Sequence, residues 1–316
     1  MKNLMTNKND LIQCHDRIKP FIHDTPVLES SSVNKIIGAK LYFKCDNFQK
    51  MGAFKMRGAA NAILQLSSDQ KKRGVVTHSS GNFAQALSLA AQSIGVKAYI
   101  VMPSNATEIK KIAVKDYGGD LIECEPTLSA RGKKSKEIQE LTGATFIHPS
   151  NDLNVILGQG TACKELLEKH NDLNFVFAPI GGGGLIAGSA LAAKFFGTDC
   201  KVIGSEPSEV DDAYRSLISG RIEKNNSTNT IADGLKTELG DINFPIIKQE
   251  IDQIIRVSEK EIIESMKMIW ERLKIVCEPS CAVTLASIFK EKKSFQGKKI
   301  GVIISGGNVD LSKLPF

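Results

Sequence analysis

Short apolar, β-branched or aromatic runs alternate with longer helical segments along almost the whole 316-residue chain. The runs predict strands at 41–44, 75–78, 98–102, 121–124, 145–148, 175–178, 202–205 and 300–305. Helices are predicted at 54–66, 83–94, 107–117, 129–141, 155–169, 185–196 and 260–273. Strands that alternate with helices form parallel sheets buried on both faces, so the predicted fold class is α/β, with parallel-rich sheets flanked by helices.

Composition narrows the classes of function. The net charge of +6 is modest and the lysines are dispersed, which disfavours a nucleic-acid partner. Residues 2–13 lack the continuous apolar run of a secretory signal, so we expect a cytoplasmic protein. Seven scattered cysteines without a C-x-x-C pair are typical of reduced thiols and do not predict a zinc site.

One uncharged stretch, FVFAPIGGGGLIAGSALAA at 175–193, has nearly the length of a membrane span. Pro179 and the four glycines that follow Ile180 would break a lone spanning helix. A buried strand, a tight loop and a core helix in succession explain the same composition. We therefore predict no membrane partner.

Three glycine-bearing segments directly follow predicted strands: HSSGNFAQA at 78–86, PIGGGGLIAG at 179–188 and SGGNVDL at 305–311. Ligands of parallel α/β sheets bind at the carboxyl ends of strands, where these segments lie. The glycines at 181–184 lead into a helix, whose N-terminal N–H groups would suit a phosphate. Two alternatives remain at this stage: a flexible turn with positive φ at several positions, and a dinucleotide site with Glu206 as its acidic partner.

Lys55 stands between Phe54 and Met56 at the start of an alanine-rich helix. An ordinary lysine has about one neutral amine in 2,500 at pH 7. Desolvation by its apolar neighbours and repulsion by Arg57 would both lower the pKa of Lys55 and prepare it for Schiff-base chemistry. The alternative is a surface lysine whose stem crosses apolar neighbours.

The combination of a lysine nucleophile with a glycine phosphate loop is typical of pyridoxal 5′-phosphate enzymes. QKMGAFKMRGA at 49–59, SSGNFAQ at 79–85, GGGG at 181–184 and SGGN at 305–308 resemble the successive signatures of the fold-type II (tryptophan synthase β-like) enzymes. The resemblance is closest to the serine/threonine dehydratase and serine racemase family, and the motifs span most of the chain in the family's order.

The resemblance implies a set of cofactor-binding residues. They are Phe54, Lys55, Asn82, Gly181, Gly182, Gly183, Gly184, Glu278 and Ser305. Lys55 would bind the cofactor covalently, Phe54 would lie against one face of its ring, and Asn82 would bind the ring hydroxyl. The glycines would hold the phosphate. Ser305 would face the ring nitrogen, whereas Glu278 could equally belong to a turn before a helix.

The resemblance also implies where an amino-acid substrate would bind. Ser79, Ser80 and Gly81 would receive its carboxylate, and Arg131 resembles a substrate-contacting arginine, although its segment also suits a solvated basic face. For Ser80 a helix N-cap is an equal alternative. Lys55 would take the Cα proton, while a serine at the position of Ser80 is the second proton donor of the racemases.

A divalent-cation site is implied at SEPSEVDDA, 205–213. Glu206, Asp212 and the backbone carbonyl of Val210 match the position of this site in racemase-like members, and oxygen ligands suit Mg²⁺ or Ca²⁺. Without the resemblance, the same acids predict a strand exit and a helix start.

Two positions depart from the family pattern. Phe83 stands where members usually carry a histidine after S-S-G-N, so that histidine's contact with the substrate is missing or replaced. Ala53 replaces the usual serine before Phe-Lys, which is a milder change. Phe83 makes the substrate harder to predict.

The resemblance predicts a homodimer of two-domain subunits, with a large cofactor domain at 1–73 and 150–316 and a small mobile domain at 74–149. It predicts a serine/threonine ammonia-lyase, with serine racemase activity or threo-3-hydroxyaspartate dehydration as alternatives. The chain ends soon after SGGNVDL, which favours a catabolic enzyme without the regulatory domain of biosynthetic threonine dehydratases.

Overall fold

The computed structural model describes residues 6–316, and its elements follow the predicted alternation. The helices are α1 Lys8–Ile18, α2 Ser31–Ile37, α3 Lys55–Leu64, α4 Ser68–Arg73, α5 Asn82–Ile94, α6 Glu108–Asp116, α7 Leu128–Thr142, α8 Leu153–Lys169, α9 Gly184–Phe196, α10 Asp212–Ser219, α11 Asn243–Glu250, α12 Glu259–Leu273 and α13 Pro279–Lys290. The strands are β1 Val27–Leu28, β2 Lys40–Cys45, β3 Val75–His78, β4 Ala98–Pro103, β5 Asp120–Cys124, β6 Thr145–Phe146, β7 Phe175–Pro179, β8 Lys201–Pro207, β9 Gln253–Val257 and β10 Lys299–Ile304.

All eight predicted strands and all seven predicted helices are present, with ends that differ by two residues or fewer. The pattern did not predict β1, β9 or six of the helices. The strand β1 is only two residues long, and β9 (QIIRV) has a polar residue at its start and an arginine before its end. Neither strand therefore shows the uninterrupted apolar run of a buried strand.

The strands form two sheets. The first has the order β1-β2-β10-β7-β8-β9 and is parallel except for the antiparallel pair β1 and β2. The second has the order β5-β4-β3-β6 and is parallel throughout. All of its strands lie within 74–149, the range predicted for the small domain. The mobility of that domain remains a prediction.

The uncharged stretch at 175–193 forms the predicted strand, loop and helix. The strand β7 ends at Pro179, and α9 begins at Gly184. Within residues 6–316, no helix is both long and apolar enough to cross a membrane.

The helix α3 lies between the two sheets. Met56 and Ala60 on α3 share a core cluster with Phe83 and Leu87 on α5, which packs on the second sheet. The opposite side of α3 packs on α8 so closely that a Cβ added at Gly58 would lie 2.8 Å from the carbonyl oxygen of Val155. The first residue of α3 is therefore held where the two units meet.

Candidate active site

Lys55 is the first residue of α3, and its amine faces an apolar enclosure. Its Nζ donates a hydrogen bond of 2.9 Å to the carbonyl oxygen of Pro149. The ring centroids of Phe54 and Phe83 lie 5.0 Å and 5.7 Å from the same atom, and both rings are buried. Phe83 therefore places an apolar wall where a histidine would offer hydrogen-bonding nitrogens.

Burial lowers the pKa of Lys55 to about 8, and the negative charge of Glu278 partly offsets that effect. Although part of the side chain is accessible, dense protein surrounds the amine. At pH 7 roughly one amine in ten would be neutral. The predicted desolvation is thus observed, but the predicted repulsion by Arg57 is wrong, because Arg57 is paired with Asp46 and Glu165.

The four glycines form a tightly packed loop at the N-terminus of α9. Added Cβ atoms would lie 2.8 Å from the Gly234 carbonyl oxygen at Gly181, 2.4 Å from Ser150 Oγ at Gly182, and 2.5 Å from Gln159 Oε1 at Gly184. Of the four, all within the described chain, Gly183 alone has a positive φ, at +80°. The alternative of a flexible turn with positive φ at several positions is therefore wrong, because a single one of these four glycines has a positive φ.

The loop at 148–151 joins Lys55 to the glycines. Asn243 Nδ2 donates 3.2 Å and 2.8 Å hydrogen bonds to the carbonyl oxygens of Ser150 and Gly182. His148 Nδ1 accepts the N–H groups of Ser150 and Asn151 at 3.2 Å and 2.8 Å. Sequence reasoning missed His148, Ser150 and Asn243. The end of a predicted strand was a signal for His148, but Asn243 follows no predicted strand.

Ser305, Asn82 and Glu278 meet on the other side of the candidate site. Asn82 Nδ2 donates to both carboxylate oxygens of Glu278 at 3.0 Å and 3.1 Å, and Asn82 Oδ1 accepts from Asn308 at 2.9 Å. The hydroxyl of Ser305 is buried and has no hydrogen-bond partner within residues 6–316. The Ser305 carbonyl accepts the N–H of Phe54 at 3.0 Å, which ties this segment to the start of α3.

Ser79, Ser80 and Gly81 lead from β3 into α5. The N-cap residue is Gly81, and the Gly81 N–H donates to Ser79 Oγ at 3.4 Å. The N-cap alternative for Ser80 is therefore wrong. Ser79, Ser80 and Gly81 are all part-exposed, so this segment is accessible to a small molecule.

Arg131 lies in α7, and its Nε is buried without a hydrogen-bond partner in the described chain. Its charge is close enough to His78 to lower the pKa of that imidazole, although burial is the larger cause. The His78 and His148 rings are 6.3 Å apart. Sequence reasoning did not single out His78, although it ends a predicted strand.

Glu206 and Asp212 are buried near the N-terminus of α10. The two carboxylate oxygens of Glu206 accept the N–H groups of Ala213 and Tyr214 at 3.1 Å and 2.9 Å, which is the helix-start role predicted as the alternative. Because those bonds hold Glu206 against the start of α10, the dinucleotide alternative gains no support. Asp212 Oδ2 accepts the Leu239 N–H at 3.1 Å, whereas Oδ1 is buried and unpaired as far as the described residues go.

Burial raises the pKa of Glu206 well above its usual range, and repulsion by Asp212 adds to the rise. Burial also raises the pKa of Asp212 to about 6. Val210 lies between them in the chain and is itself buried. In the described part of the chain, no group of three or more His, Cys, Asp or Glu side chains is placed to hold a metal.

Comparison with known proteins identifies the class. The pattern that defines the pyridoxal-phosphate dependent enzymes matches residues 18–306, and the chain belongs to that family. The fold is fold-type II, as predicted. The unpaired Ser305 hydroxyl and the side-chain-free glycine loop fit the ring nitrogen and the phosphate of this cofactor.

Three relatives are similar over nearly their whole length. The chain is 48% identical over 307 residues to the beta-hydroxyaspartate dehydratase of Paracoccus denitrificans, covering 97% of this chain and 98% of that protein. It is 49% identical over 311 residues to the serine racemase of Dictyostelium discoideum, covering 96% and 95%. The crystal structure of a T.th. threonine deaminase has a TM-score of 0.92 at 38% identity, covering 98% of this chain and all of that one.

The pKa of Glu278 predicts a specific pH dependence of stability. Burial raises this pKa from 4.5 to about 7, which outweighs the opposite effect of the hydrogen bonds from Asn82. Between pH 4.5 and about 7 the Glu278 carboxyl keeps its proton in the folded protein but loses it in the unfolded chain. The free energy of unfolding should therefore fall as the pH rises through this range, by up to about 3 kcal/mol from this group.

Glu278→Gln should remove this contribution in the cofactor-free protein. Denaturant unfolding at pH 5, 6 and 7 gives the free energy of unfolding of the variant and of the unmodified protein. The difference between the two measures the contribution of Glu278 at each pH. Glu264→Gln, at an exposed position of α12, is the control. A difference that stays constant from pH 5 to 7 would contradict the assignment.

Proposed function

We propose that the protein is a pyridoxal-phosphate-dependent ammonia-lyase that converts L-serine or L-threonine to a 2-oxo acid and ammonia. The observation that carries the proposal is the Lys55 amine, desolvated by Phe54 and Phe83 and located beside a glycine loop and an unpaired serine hydroxyl. The likeness to a dehydratase, a racemase and a threonine deaminase supports the reaction class.

The cofactor, when bound, supplies an electron-accepting ring next to the substrate Cα. Lys55 takes the Cα proton, because its lowered pKa leaves a usable fraction of neutral amine near pH 7. The backbone N–H groups at the start of α5 bind the substrate carboxylate, together with Ser79 and Ser80. Loss of the β-hydroxyl as water gives an aminoacrylate, and hydrolysis of its imine tautomer by one water molecule then yields the 2-oxo acid and ammonia.

Ser305 presents a neutral hydroxyl rather than a carboxylate to the ring nitrogen. A neutral hydroxyl at this position would stabilise positive charge on the ring nitrogen less than a carboxylate does, which would favour elimination of the β-hydroxyl over transamination. Glu278 and Asn82 form one hydrogen-bonded unit beside this position, and the raised pKa of Glu278 limits the negative charge there near neutral pH.

Lys55→Met should lower turnover of L-serine by at least about 10²-fold, since it removes both the covalent attachment and the base. The rate of ammonia release from L-serine measures this turnover. Borohydride reduction and peptide mass mapping should place the cofactor on Lys55 in the unmodified protein. Lys35→Met, at an exposed position of α2, is the control and should keep full turnover. Lys55 unmodified after reduction would refute the proposal.

Serine racemase activity is the second outcome of the same site, with Ser80 as the proton donor on the face opposite Lys55. Because Ser80 is free of the N-cap role, Ser80→Ala should leave the start of α5 intact. Racemisation of L-serine, followed by chiral chromatography, should fall at least tenfold while elimination persists. Equal loss of both activities would exclude this separate role.

A second candidate function is dehydration of threo-3-hydroxyaspartate. The unpaired Arg131 Nε favours it, because an arginine near His78, at the end of β3, could bind the second carboxylate of that substrate. Similarity to a beta-hydroxyaspartate dehydratase supports the same candidate.

Arg131→Gln should lower kcat/KM for 3-hydroxyaspartate at least tenfold, which corresponds to about 1.4 kcal/mol, and should change kcat/KM for L-serine much less. Steady-state assays with both substrates measure the ratio. Lys133→Gln, exposed on the same helix, is the matched control. Parallel losses for both substrates would exclude Arg131 as the residue that selects the second carboxylate.

We also propose that Glu206, Asp212 and the Val210 carbonyl bind Mg²⁺ or Ca²⁺. Two buried carboxylates with raised pKa values and one unpaired oxygen fit an oxygen-liganded cation that would neutralise them. Either ion should then raise the thermal midpoint, and Asp212→Asn should abolish the rise. Glu209→Gln, an exposed neighbour, should retain it. An unchanged midpoint in the unmodified protein would reject the site.

A homodimer and a cytoplasmic location, both predicted from the sequence, remain predictions. Neither is needed for the residue roles proposed above. Sedimentation of the purified protein tests the dimer.

A further inference from the structure

We propose that Arg57 is a positioning residue, which fixes the first turn of α3, and with it the amine of Lys55, from the side of the helix that faces away from the candidate site. The inference rests on the proposed role of Lys55 as the reactive amine. It assigns a function to a side chain that the proposed reaction does not use.

Arg57 is fully buried, and its guanidinium is surrounded by acceptors. Asp46 accepts from Nε at 2.7 Å and from Nη2 at 2.9 Å. Glu165 accepts from Nη1 at 2.7 Å and from Nη2 at 2.9 Å. Thr161 accepts from Nη1 at 3.2 Å, and Thr25 lies 3.4 Å from Nη2. Two bidentate carboxylates therefore hold the planar group in one orientation.

These contacts join α3 to three other parts of the chain. Glu165 and Thr161 lie on α8, Asp46 directly follows β2, and Thr25 precedes β1. A Cβ added at Gly158 of α8 would lie 2.5 Å from the Arg57 carbonyl oxygen, so the backbones of α3 and α8 are in direct contact at this point. The guanidinium thus prevents both rotation and sliding of the first turn.

The first turn of α3 needs such support. Phe54 is its N-cap residue and, within the described chain, no side-chain hydrogen bond caps the helix. The N–H groups of Met56 and Arg57 make only turn-type bonds, to the carbonyl oxygens of Ala53 at 3.4 Å and Phe54 at 3.1 Å, and a helix end without a side-chain cap frays more easily. Since Lys55 is the first helical residue, fraying would displace its amine.

Because the Arg57 cluster lies on the opposite face of α3, it holds the helix without placing a charge beside the Lys55 amine. Residues two apart in a helix point about 200° away from each other, so the cluster around Arg57 and the amine of Lys55 are separated by the helix. Within the cluster, the positive charges of Arg57 and Lys44 are balanced by Asp46 and Glu165. An aspartate cap would stabilise the same turn but would raise the pKa of Lys55.

The test compares Arg57→Lys with Lys44→Met in the full-length holoenzyme. Arg57→Lys keeps the charge but loses the bidentate contacts of α3. Lys44→Met disturbs the same cluster from β2, because Lys44 Nζ binds Glu165 at 2.6 Å and the Thr25 carbonyl oxygen at 2.6 Å. Circular dichroism in the cofactor absorption band, per bound cofactor, measures how firmly Lys55 orients the cofactor, and thermal unfolding measures stability.

Arg57→Lys should lower the dichroic amplitude at least twofold and reduce kcat more than it changes KM. Lys44→Met should keep the amplitude of the unmodified protein even where it lowers the thermal midpoint. An unchanged amplitude in Arg57→Lys, or an equal loss in both variants, would overturn the inference. If Arg57→Lys does not fold, Thr161→Val, which removes one contact to the guanidinium, is scored against Lys44→Met in the same way.

Failure of the proposed function would look different. The unmodified protein would then show no cofactor band and no adduct on Lys55 after borohydride reduction. In that case the pH midpoint of Lys55 acylation, measured by peptide mass spectrometry, replaces dichroism as the reporter. A rise of at least one pH unit in Arg57→Lys, absent from Lys44→Met, would support the positioning role, and any other pattern would overturn it.

Discussion

The desolvation of one lysine amine is the constraint on which the candidate site depends. A lysine surrounded by protein favours its neutral form, and the two aromatic rings nearest to Lys55 exclude water without adding a charge. The amine must also stay in one place. Both requirements are met at a helix start that is packed on every side, and this explains why α3 lies between the two sheets rather than on an outer face.

Fully charged side chains lie behind α3, away from the Lys55 amine, whereas the acidic group that faces the amine is shifted towards its neutral form. Arg57, Asp46 and Glu165 neutralise one another behind α3, whereas Glu278 faces the site and is itself shifted towards its neutral form. Ion pairs therefore hold the scaffold, and weakly charged or neutral groups surround the Lys55 amine. Like Ser305, Phe83 contributes a neutral surface.

Parallel topology brings the site together. The glycine loop follows β7, Ser305 follows β10, and the serine segment follows β3, so three carboxyl ends of strands face one volume. Close packing then determines the composition of the loop. At Gly181, Gly182 and Gly184 a Cβ would meet neighbouring atoms within 3 Å, and this requirement is independent of any positive φ. Glycine is therefore required at these positions mainly because neighbouring atoms lie so close, and less because the chain reverses direction.

The sequence by itself determined the alternation of strands and helices and the residues at the ends of strands, because periodicity and glycine motifs are local properties. The class of cofactor followed from the resemblance of those motifs to a known family. The sequence also placed Lys55 at a helix start in apolar surroundings. Only the tertiary structure decided which side chains contact one another. Arg57, two residues from Lys55, was expected to repel it, but long-range contacts with Asp46 and Glu165 neutralise its charge. His148, Asn243 and the unpaired Ser305 hydroxyl also depend on segments far apart in the chain, and no local pattern encodes such contacts.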